Sequence, residues 1–322
     1  MNLFSSLVVV PTMILTTLAP IMMSNLLPIW FIMEISNFMF IVYMMIHMKQ
    51  KKLIFLYFLI QVVASFILLC SLIINPMTFI LEIQMMIFTS LFMKTGIPPL
   101  HLWMPMISKF MPWMTLFFML TIQKIIPLIM FNLLNMNKSV FMFILVMTMM
   151  VPPLTMINMK SMKMMITYSS INQTGWMVAL IFINHQFWFL YLMIYTSIML
   201  MISSIMKFTE ISFKFFMYSF KKFNFMFTIM MMNLSSMPPF SFFMFKWFST
   251  FAILISSNLK MMIIMLLINS LLLTFIYIKM MLWSLFINKF ESKMLFNKMM
   301  KPKLKNILWA LMLLLFPLIM LI

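Results

Sequence analysis

Long apolar stretches alternate with short polar segments along the whole chain. Most of these stretches reach the roughly 20 residues that an α-helix needs to cross about 30 Å of hydrocarbon. An open β-sheet could not satisfy its backbone polar groups in lipid, so the pattern predicts an all-α polytopic membrane protein with a single transmembrane domain over residues 1–322. It places eleven spans at approximately 3–22, 26–47, 53–74, 77–108, 112–134, 139–157, 164–183, 186–207, 223–256, 261–285 and 304–322.

The composition agrees with a chain that lies mainly in lipid. Hydrophobic residues make up 65% of the sequence and charged residues only 8%, whereas about a quarter of the residues in a soluble protein are charged. All 22 basic residues are lysine, and arginine and aspartate are absent. The residues that dominate have A/T-rich codons, and the 51 methionines fit a code in which ATA also encodes Met. We therefore expect a mitochondrial gene product.

Lysines are distributed unevenly over the loops between the predicted spans. Loops after odd-numbered spans hold only Lys138 and Lys260, whereas loops after even-numbered spans hold sixteen lysines. The sixteen are Lys49, Lys51, Lys52, Lys109, Lys160, Lys163, Lys207, Lys214, Lys221, Lys222, Lys289, Lys293, Lys298, Lys301, Lys303 and Lys305. Because short loops on the cytoplasm-like side collect lysine, we expect the N-terminus in the matrix and the C-terminus in the intermembrane space. The net charge of +18 is then a topology signal and does not indicate nucleic-acid binding.

The first ten spans form two groups of five, and an odd number means that the second group enters the membrane in the opposite sense, as in inverted-repeat transporters. We place the parts at about 3–134 for repeat one, 139–285 for repeat two and 304–322 for a final helix. The fourth span of each group contains a double proline, Pro98-Pro99 or Pro238-Pro239. Proline removes a backbone donor, so we predict discontinuous helices at spans four and nine. Paired interruptions of this type indicate an ion or substrate site.

A third double proline does not fit the repeat. Pro152-Pro153 falls within span six, whose counterpart, span one, has only Pro11. We expect this pair to end its helix early, because proline cannot donate to the preceding turn.

Four lysines lie within spans and not in loops: Lys94, Lys124, Lys246 and Lys279. A charge at the bilayer centre costs about 2.5–3.5 kcal/mol on insertion scales, so repeated retention indicates function. Lysine stems near a helix end can reach the headgroups, and we expect this for Lys279. Lys124 lies about halfway along its span, roughly 15 Å from either surface, which is beyond the reach of its side chain. Lys94 and Lys246 adjoin the predicted breaks.

Two further residues complete a candidate proton relay. Glu34 is the one acid that the sequence places deep in a span, and a lone carboxyl there is either protonated or paired with a cation. His101 follows the first break and could bridge Lys94 to Lys124, since imidazole titrates near neutral pH. An equally good interpretation is a histidine that binds a freed backbone carbonyl. Lysines and glutamates joined by water are typical of pumps and transporters.

The sequence argues against other kinds of site. Cys70 is the only cysteine, which excludes disulfides and cysteine-based metal sites. The three histidines are far apart and form no metal or haem motif. Two glycines are too few for a phosphate-binding loop. We therefore predict no metal and no bound cofactor.

Five segments carry a resemblance to a known family. In chain order they are WFIMEISNF, KTGIPPLHLWMP, TIQKIIP, TYSSINQTGWM and LSSMPPFSFFMFKWF. They resemble the subunit 2 family of mitochondrial NADH dehydrogenase, whose members are antiporter-like subunits in the membrane arm of respiratory complex I. The resemblance implies a subunit of an H⁺-translocating NADH:ubiquinone reductase, with quinone reduction elsewhere in the complex and no redox centre in this chain. It also implies the mitochondrial inner membrane, other membrane-arm subunits, phospholipids and protons as partners, and no nucleic acid.

The resemblance assigns roles to particular residues. It implies that Glu34 is the acid of the second span, Lys94 the lysine beside the first break, Lys124 the central lysine and Lys246 the lysine of the second broken helix. Animal members of the family have eleven spans, in agreement with the division above. Gln173 is a departure, because the family commonly has histidine there. Glutamine cannot take up a proton at physiological pH, so it could orient water but could not relay a proton by itself.

Two other functions remain open from the sequence. A free-standing cation/proton antiporter could use the same repeats, but one deep glutamate and no aspartate argue against Na⁺ binding through carboxylates. A structural scaffold whose lysines have no function would not explain why buried charges recur at paired positions.

Overall fold

The structure of the chain is a computed structural model. It describes residues 5–74, 80–134, 138–159, 161–183, 187–209, 224–238, 240–256 and 260–291. The predicted final helix at 304–322 lies outside the described residues, as do the loop lysines within 210–223.

Every regular element in the described ranges is helical, which confirms the all-α fold. The α-helices are α1 (Val10–Leu18), α2 (Leu26–His47), α3 (Lys51–Ile74), α4 (Ile80–Thr95), α5 (Trp103–Ser108), α6 (Trp113–Leu120), α7 (Ile122–Leu133), α8 (Lys138–Met156), α9 (Met162–Phe182), α10 (Phe187–Thr209), α11 (Asn224–Leu234), α12 (Ser241–Ser256) and α13 (Lys260–Glu291). A π-helical turn at Ser5–Val9 precedes α1, and a 3₁₀ turn at Ala19–Met22 follows it.

Several helices are suited to a membrane by length and composition. Among the described residues, five stretches are long and apolar enough to cross one: Leu26–His47, Lys51–Ile74, Trp113–Leu133, Phe187–Lys207 and Met261–Met281. Shorter apolar helices occupy Leu7–Met22, Val140–Met156 and Ser241–Ile255. Large apolar side chains such as Phe55 and Phe66 on α3 are exposed, as expected for a surface that faces lipid.

Both predicted interruptions are present. Helix α4 ends at Thr95 and α5 begins at Trp103, while α11 ends at Leu234 and α12 begins at Ser241. Each break contains one residue in the left-handed region, Gly96 with φ 69° and Ser236 with φ 57°. A further break at Thr121, between α6 and α7, was not predicted.

The double proline of α8 does not end its helix early, so that prediction is wrong. Helix α8 continues through Pro152 and Pro153 to Met156. Pro153 has no N–H to donate to the Met149 carbonyl one turn earlier. Instead Asn269 on α13 donates to that carbonyl, with an N···O distance of 2.7 Å. A side chain on another helix thus supplies the hydrogen bond that Pro153 cannot donate.

Helix α9 is the central helix of the described fold. It packs against α5, α7, α8 and α10, and nearly all of its residues are buried although many are polar. Gly175 permits the close approach to α8, because a Cβ at this position would lie 2.5 Å from Met149 Cε and 2.7 Å from Thr148 Oγ1. Polar side chains on α9 are therefore held against neighbouring helices and away from lipid.

Candidate functional site

A buried ion pair lies at the first break. Lys94 in the last turn of α4 donates to Glu34 Oε1 on α2, with an N···O distance of 2.6 Å. The side chain of Lys94 is 1% exposed and that of Glu34 16%. The sequence predicted that Glu34 is either protonated or paired, and the geometry gives the paired form.

The backbone of the first break is stabilised locally. Gly96 turns the chain out of α4, and Ile97 N–H bonds to the Phe92 carbonyl at 3.0 Å. The Met93 carbonyl loses its usual helical partner and accepts a hydrogen bond from Trp103 Nε1 at 3.1 Å. Hydrogen bonds thus fix the backbone on both sides of Lys94, and its side chain reaches Glu34 on α2.

The central lysine binds neutral oxygens. Lys124 on α7 is 3% exposed. Its Nζ donates to the Ser170 carbonyl at 3.1 Å and to Ser170 Oγ at 3.2 Å. The structure describes no carboxylate paired with it. The break at Thr121 lies three residues before Lys124 and begins the helix that carries it.

The second break has a corresponding lysine with different partners. Lys246 on α12 is 5% exposed, and its Nζ donates to Ser236 Oγ at 2.8 Å. The ammonium lies 5.5 Å from the ring centroid of Trp176 and 5.7 Å from that of Phe242. Rings at this distance attract a cation through their quadrupoles. No carboxylate within the described ranges contacts Lys246.

His101 is buried beside the first break, and its ring packs edge-on against Tyr168 with centroids 6.0 Å apart. The ring lies near the Pro99 carbonyl, but neither nitrogen completes a hydrogen bond with the part of the chain that the structure describes. The bridging role between Lys94 and Lys124 therefore stays a prediction.

Polar residues on α9 extend the site on two sides. Gln173 Oε1 accepts a hydrogen bond from Tyr191 on α10 at 2.5 Å. Asn172 and Asn269 exchange two amide hydrogen bonds of 2.8 and 2.6 Å between α9 and α13. Sequence reasoning missed Ser170, Ser236 and this asparagine pair. The only sequence feature that could have indicated these residues is that they are polar and lie within apolar spans.

Replacing Asn269 should destabilise the second half of the described fold. Asn269→Leu keeps the branched shape of the side chain but leaves the Met149 carbonyl and the Asn172 amide without partners, each at a cost of about 1–3 kcal/mol. We expect a lower thermal unfolding midpoint of the purified membrane complex. The control is Ser270→Ala on the same helix, because Ser270 is only half-buried and its hydroxyl bonds to its own helix at the Leu267 carbonyl. Equal midpoints for the two variants would contradict the role of Asn269.

Other charged residues lie apart from this cluster. Lys279 on α13 and Glu82 on α4 are exposed. Within the described segments, no group of three His, Cys, Asp or Glu residues could hold a metal ion. The acid and the lysines that the sequence singled out at depth are thus buried or half-buried. Lys163, which the sequence placed in a loop, is also half-buried and donates to the Met111 carbonyl at 2.6 Å.

Fold and site together define an antiporter-like polytopic membrane protein, in which three buried lysines accompany three helix interruptions within the described ranges. Residues 75–276 match the family described as NADH:quinone oxidoreductase/Mrp antiporter, transmembrane. Because the match covers more than half of the chain, the chain belongs to this family.

Curated relatives have one name in common. The chain is 28% identical over 201 residues to NADH-ubiquinone oxidoreductase chain 2 of Locusta migratoria, covering 59% of either protein. It is 29% identical over 232 residues to the protein of that name from Artemia franciscana, covering 69% of this chain and 72% of that protein. The chain thus spans little more than half the length of the locust relative that it matches.

Solved structures show the same fold at lower identity. A chain of respiratory complex I from Thermus thermophilus superposes with a TM-score of 0.74 at 16% identity, covering 90% of this chain and 73% of that one. A chain of the Mrp complex from Dietzia sp. DQ12-45-1b superposes with a TM-score of 0.70 at 15% identity, covering 79% and 56%. Both neighbours belong to multi-subunit membrane complexes.

Proposed function

We propose that the chain is a core membrane subunit of a proton-pumping NADH:ubiquinone oxidoreductase. It relays protons across the membrane through buried lysines, Glu34 and water, and quinone reduction occurs elsewhere in the complex. The observation that carries this proposal is that Lys94, Lys124 and Lys246 are all buried at helix interruptions and bonded inside the protein. Membership of the family and the name of its relatives support the same function.

The different partners of the lysines suggest how charge could control proton affinity. The Glu34 carboxylate neutralises Lys94 while the pair is closed. When the pair opens, the uncompensated Lys94 charge repels a proton on the neighbouring lysine, because Coulomb interactions are strong in a poorly screened interior. Lys124 and Lys246 have neutral partners, so their protonation can respond to such a change. His101 is a further candidate in this relay.

The architecture that we propose for this function has eleven spans in two inverted repeats, 3–134 and 139–285, followed by a helix at 304–322. The chain would lie in the mitochondrial inner membrane with its N-terminus in the matrix and its C-terminus in the intermembrane space. The lysine asymmetry of the loops supports this orientation. Other membrane-arm subunits and phospholipids would surround it, and the chain itself would hold no redox cofactor.

A free-standing cation/proton antiporter is the second candidate, and the family description, which includes Mrp antiporters, favours it. A Na⁺ site would need oxygen ligands, above all carboxylates. Glu34 is engaged by Lys94, and aspartate is absent from the sequence. The first candidate therefore fits the residues better.

Native electrophoresis of membranes solubilised in mild detergent separates the two candidates. We expect the chain to migrate with a large assembly that oxidises NADH in the gel, since the proposed subunit functions only within a complex. An antibody against this chain would locate it, and a stain for NADH oxidation would locate the assembly. Migration of the chain as a small species, with the NADH-oxidising band lacking it, would refute the proposal.

A further inference from the structure

Several buried polar atoms near the lysines complete no hydrogen bond with any group that the structure describes. They include Gln173 Nε2, Trp176 Nε1, Tyr195 OH and Tyr277 OH. A buried polar atom without a partner costs about 1–3 kcal/mol, and such atoms in folded proteins normally bind ordered water. We therefore expect internal water to bind at these atoms around α9.

The two tyrosines approach α9 from different helices. Tyr195 belongs to α10 and Tyr277 to α13, and both are buried. The Tyr195 hydroxyl faces Ser170 and lies near Tyr277, while the Tyr277 hydroxyl faces Ser169. The serine hydroxyls donate to carbonyls of their own helix, so they present lone pairs to the tyrosines.

One end of this arrangement lies at Lys124, and a cleft that contains Lys246 lies near the other end. Ser170, which faces Tyr195, also accepts a hydrogen bond from Lys124. Thr274 and Ile278, on either side of Tyr277 along α13, line a cleft of about 380 Å³ that also contains Lys246 and Trp176. Tyr277 is not among the residues that line this cleft, so internal water would have to join its hydroxyl to Lys246.

We propose that Tyr195 and Tyr277, together with internal water, conduct protons around α9 between Lys124 and Lys246. This inference rests on the proposed function and adds two residues to it. In each transfer the phenol oxygen accepts a proton from one side and releases its own proton to the other. One O–H bond forms and one breaks on the same oxygen, so the tyrosine remains neutral.

The neighbouring residues explain why the tyrosines are needed. Gln173 cannot take up a proton, and its Oε1 is occupied by Tyr191. Tyr191 is therefore engaged, whereas Tyr195 and Tyr277 keep hydroxyls that can bind water. The amide of Gln173 still offers Nε2 as a donor that orients such water.

The test uses the intact complex in proteoliposomes, with protons pumped per NADH oxidised as the readout. The double variant Tyr195→Phe/Tyr277→Phe keeps both rings and removes both hydroxyls. We expect it to lose as much pumping as Lys124→Met, at an unchanged amount of assembled complex. Tyr43→Phe, a buried tyrosine on α2, is the matched control and should pump normally.

Adding Gln173→His to the double variant separates conduction from packing. A histidine there supplies a titratable group beside the interrupted route, so we expect pumping to return. A packing defect would not be repaired, and failure of this rescue would overturn the tyrosine route. If Lys124→Met stops pumping while the double variant pumps normally, the tyrosine route is wrong and the proposed function stands. If neither variant affects pumping, both are wrong.

Discussion

Lys124→Met should abolish proton translocation through this subunit while leaving the helices packed. Methionine has a similar length and an apolar stem, and volume-conserving changes of this kind cost little stability. The ammonium that bonds to Ser170 is lost, and with it a group that can hold a proton at the centre of the site. Proton-transfer groups contribute typically about 10²–10⁴-fold to rate, so we expect transfer through this position to slow by at least about 100-fold.

The measurement is the number of protons pumped per NADH oxidised by the intact complex in proteoliposomes. Lys279→Met is the matched control, because it is the same substitution at an exposed lysine on α13. The control should pump normally and assemble as well as the unmodified protein. Pumping that is unchanged in Lys124→Met would remove this lysine from the proposed relay.

The interrupted helices and the buried lysines were predictable because their signals are local. A double proline removes backbone donors wherever it occurs, and both predicted breaks formed at Pro98 and Pro238. Likewise, the distance of Lys124 from the ends of its apolar span is enough to indicate that its ammonium cannot reach the headgroups. Lys124 is 3% exposed in the fold, as expected for a lysine that does not reach the surface.

The partners of the lysines could not be predicted, because they come from distant parts of the chain. Serine and threonine in apolar helices commonly bond to their own backbone, so nothing in the sequence distinguishes Ser170 from Ser270, which bonds to the Leu267 carbonyl of its own helix. The break at Thr121 contains no proline and has no sequence signal of its own. Helix α7, which begins after this break, packs against α2 and α9.

Pro152-Pro153 is a second case in which contacts with a distant part of the chain decide the structure. Locally these prolines predict the end of a helix, but the fold supplies Asn269 from α13 to replace the missing donor. A tertiary hydrogen bond thus overrides a strong local signal. Proline in a buried helix is tolerated where a neighbour satisfies the freed carbonyl.

Breaking the Lys94–Glu34 pair from one side should be more harmful to stability than removing both charges. Glu34→Gln leaves the Lys94 ammonium buried without its counter-ion, and removal of one partner from a buried pair typically costs about 3–5 kcal/mol. In Glu34→Gln/Lys94→Met the uncompensated charge is absent, so most of that loss should be recovered. Pumping should nevertheless remain low in the double variant, because it has lost both proton-binding groups.

Thermal unfolding of the assembled complex and pumping in proteoliposomes would be measured for four variants. They are Glu34→Gln, Lys94→Met, the double variant Glu34→Gln/Lys94→Met and Glu82→Gln. The last is the control, since Glu82 is exposed in the first turn of α4, and it should match the unmodified protein. If the stability losses of the two single variants simply add in the double variant, the residues do not interact, and the ion pair at 2.6 Å does not contribute to stability. If the double variant is more stable than Glu34→Gln yet pumps poorly, the pair serves proton transfer as well as the fold.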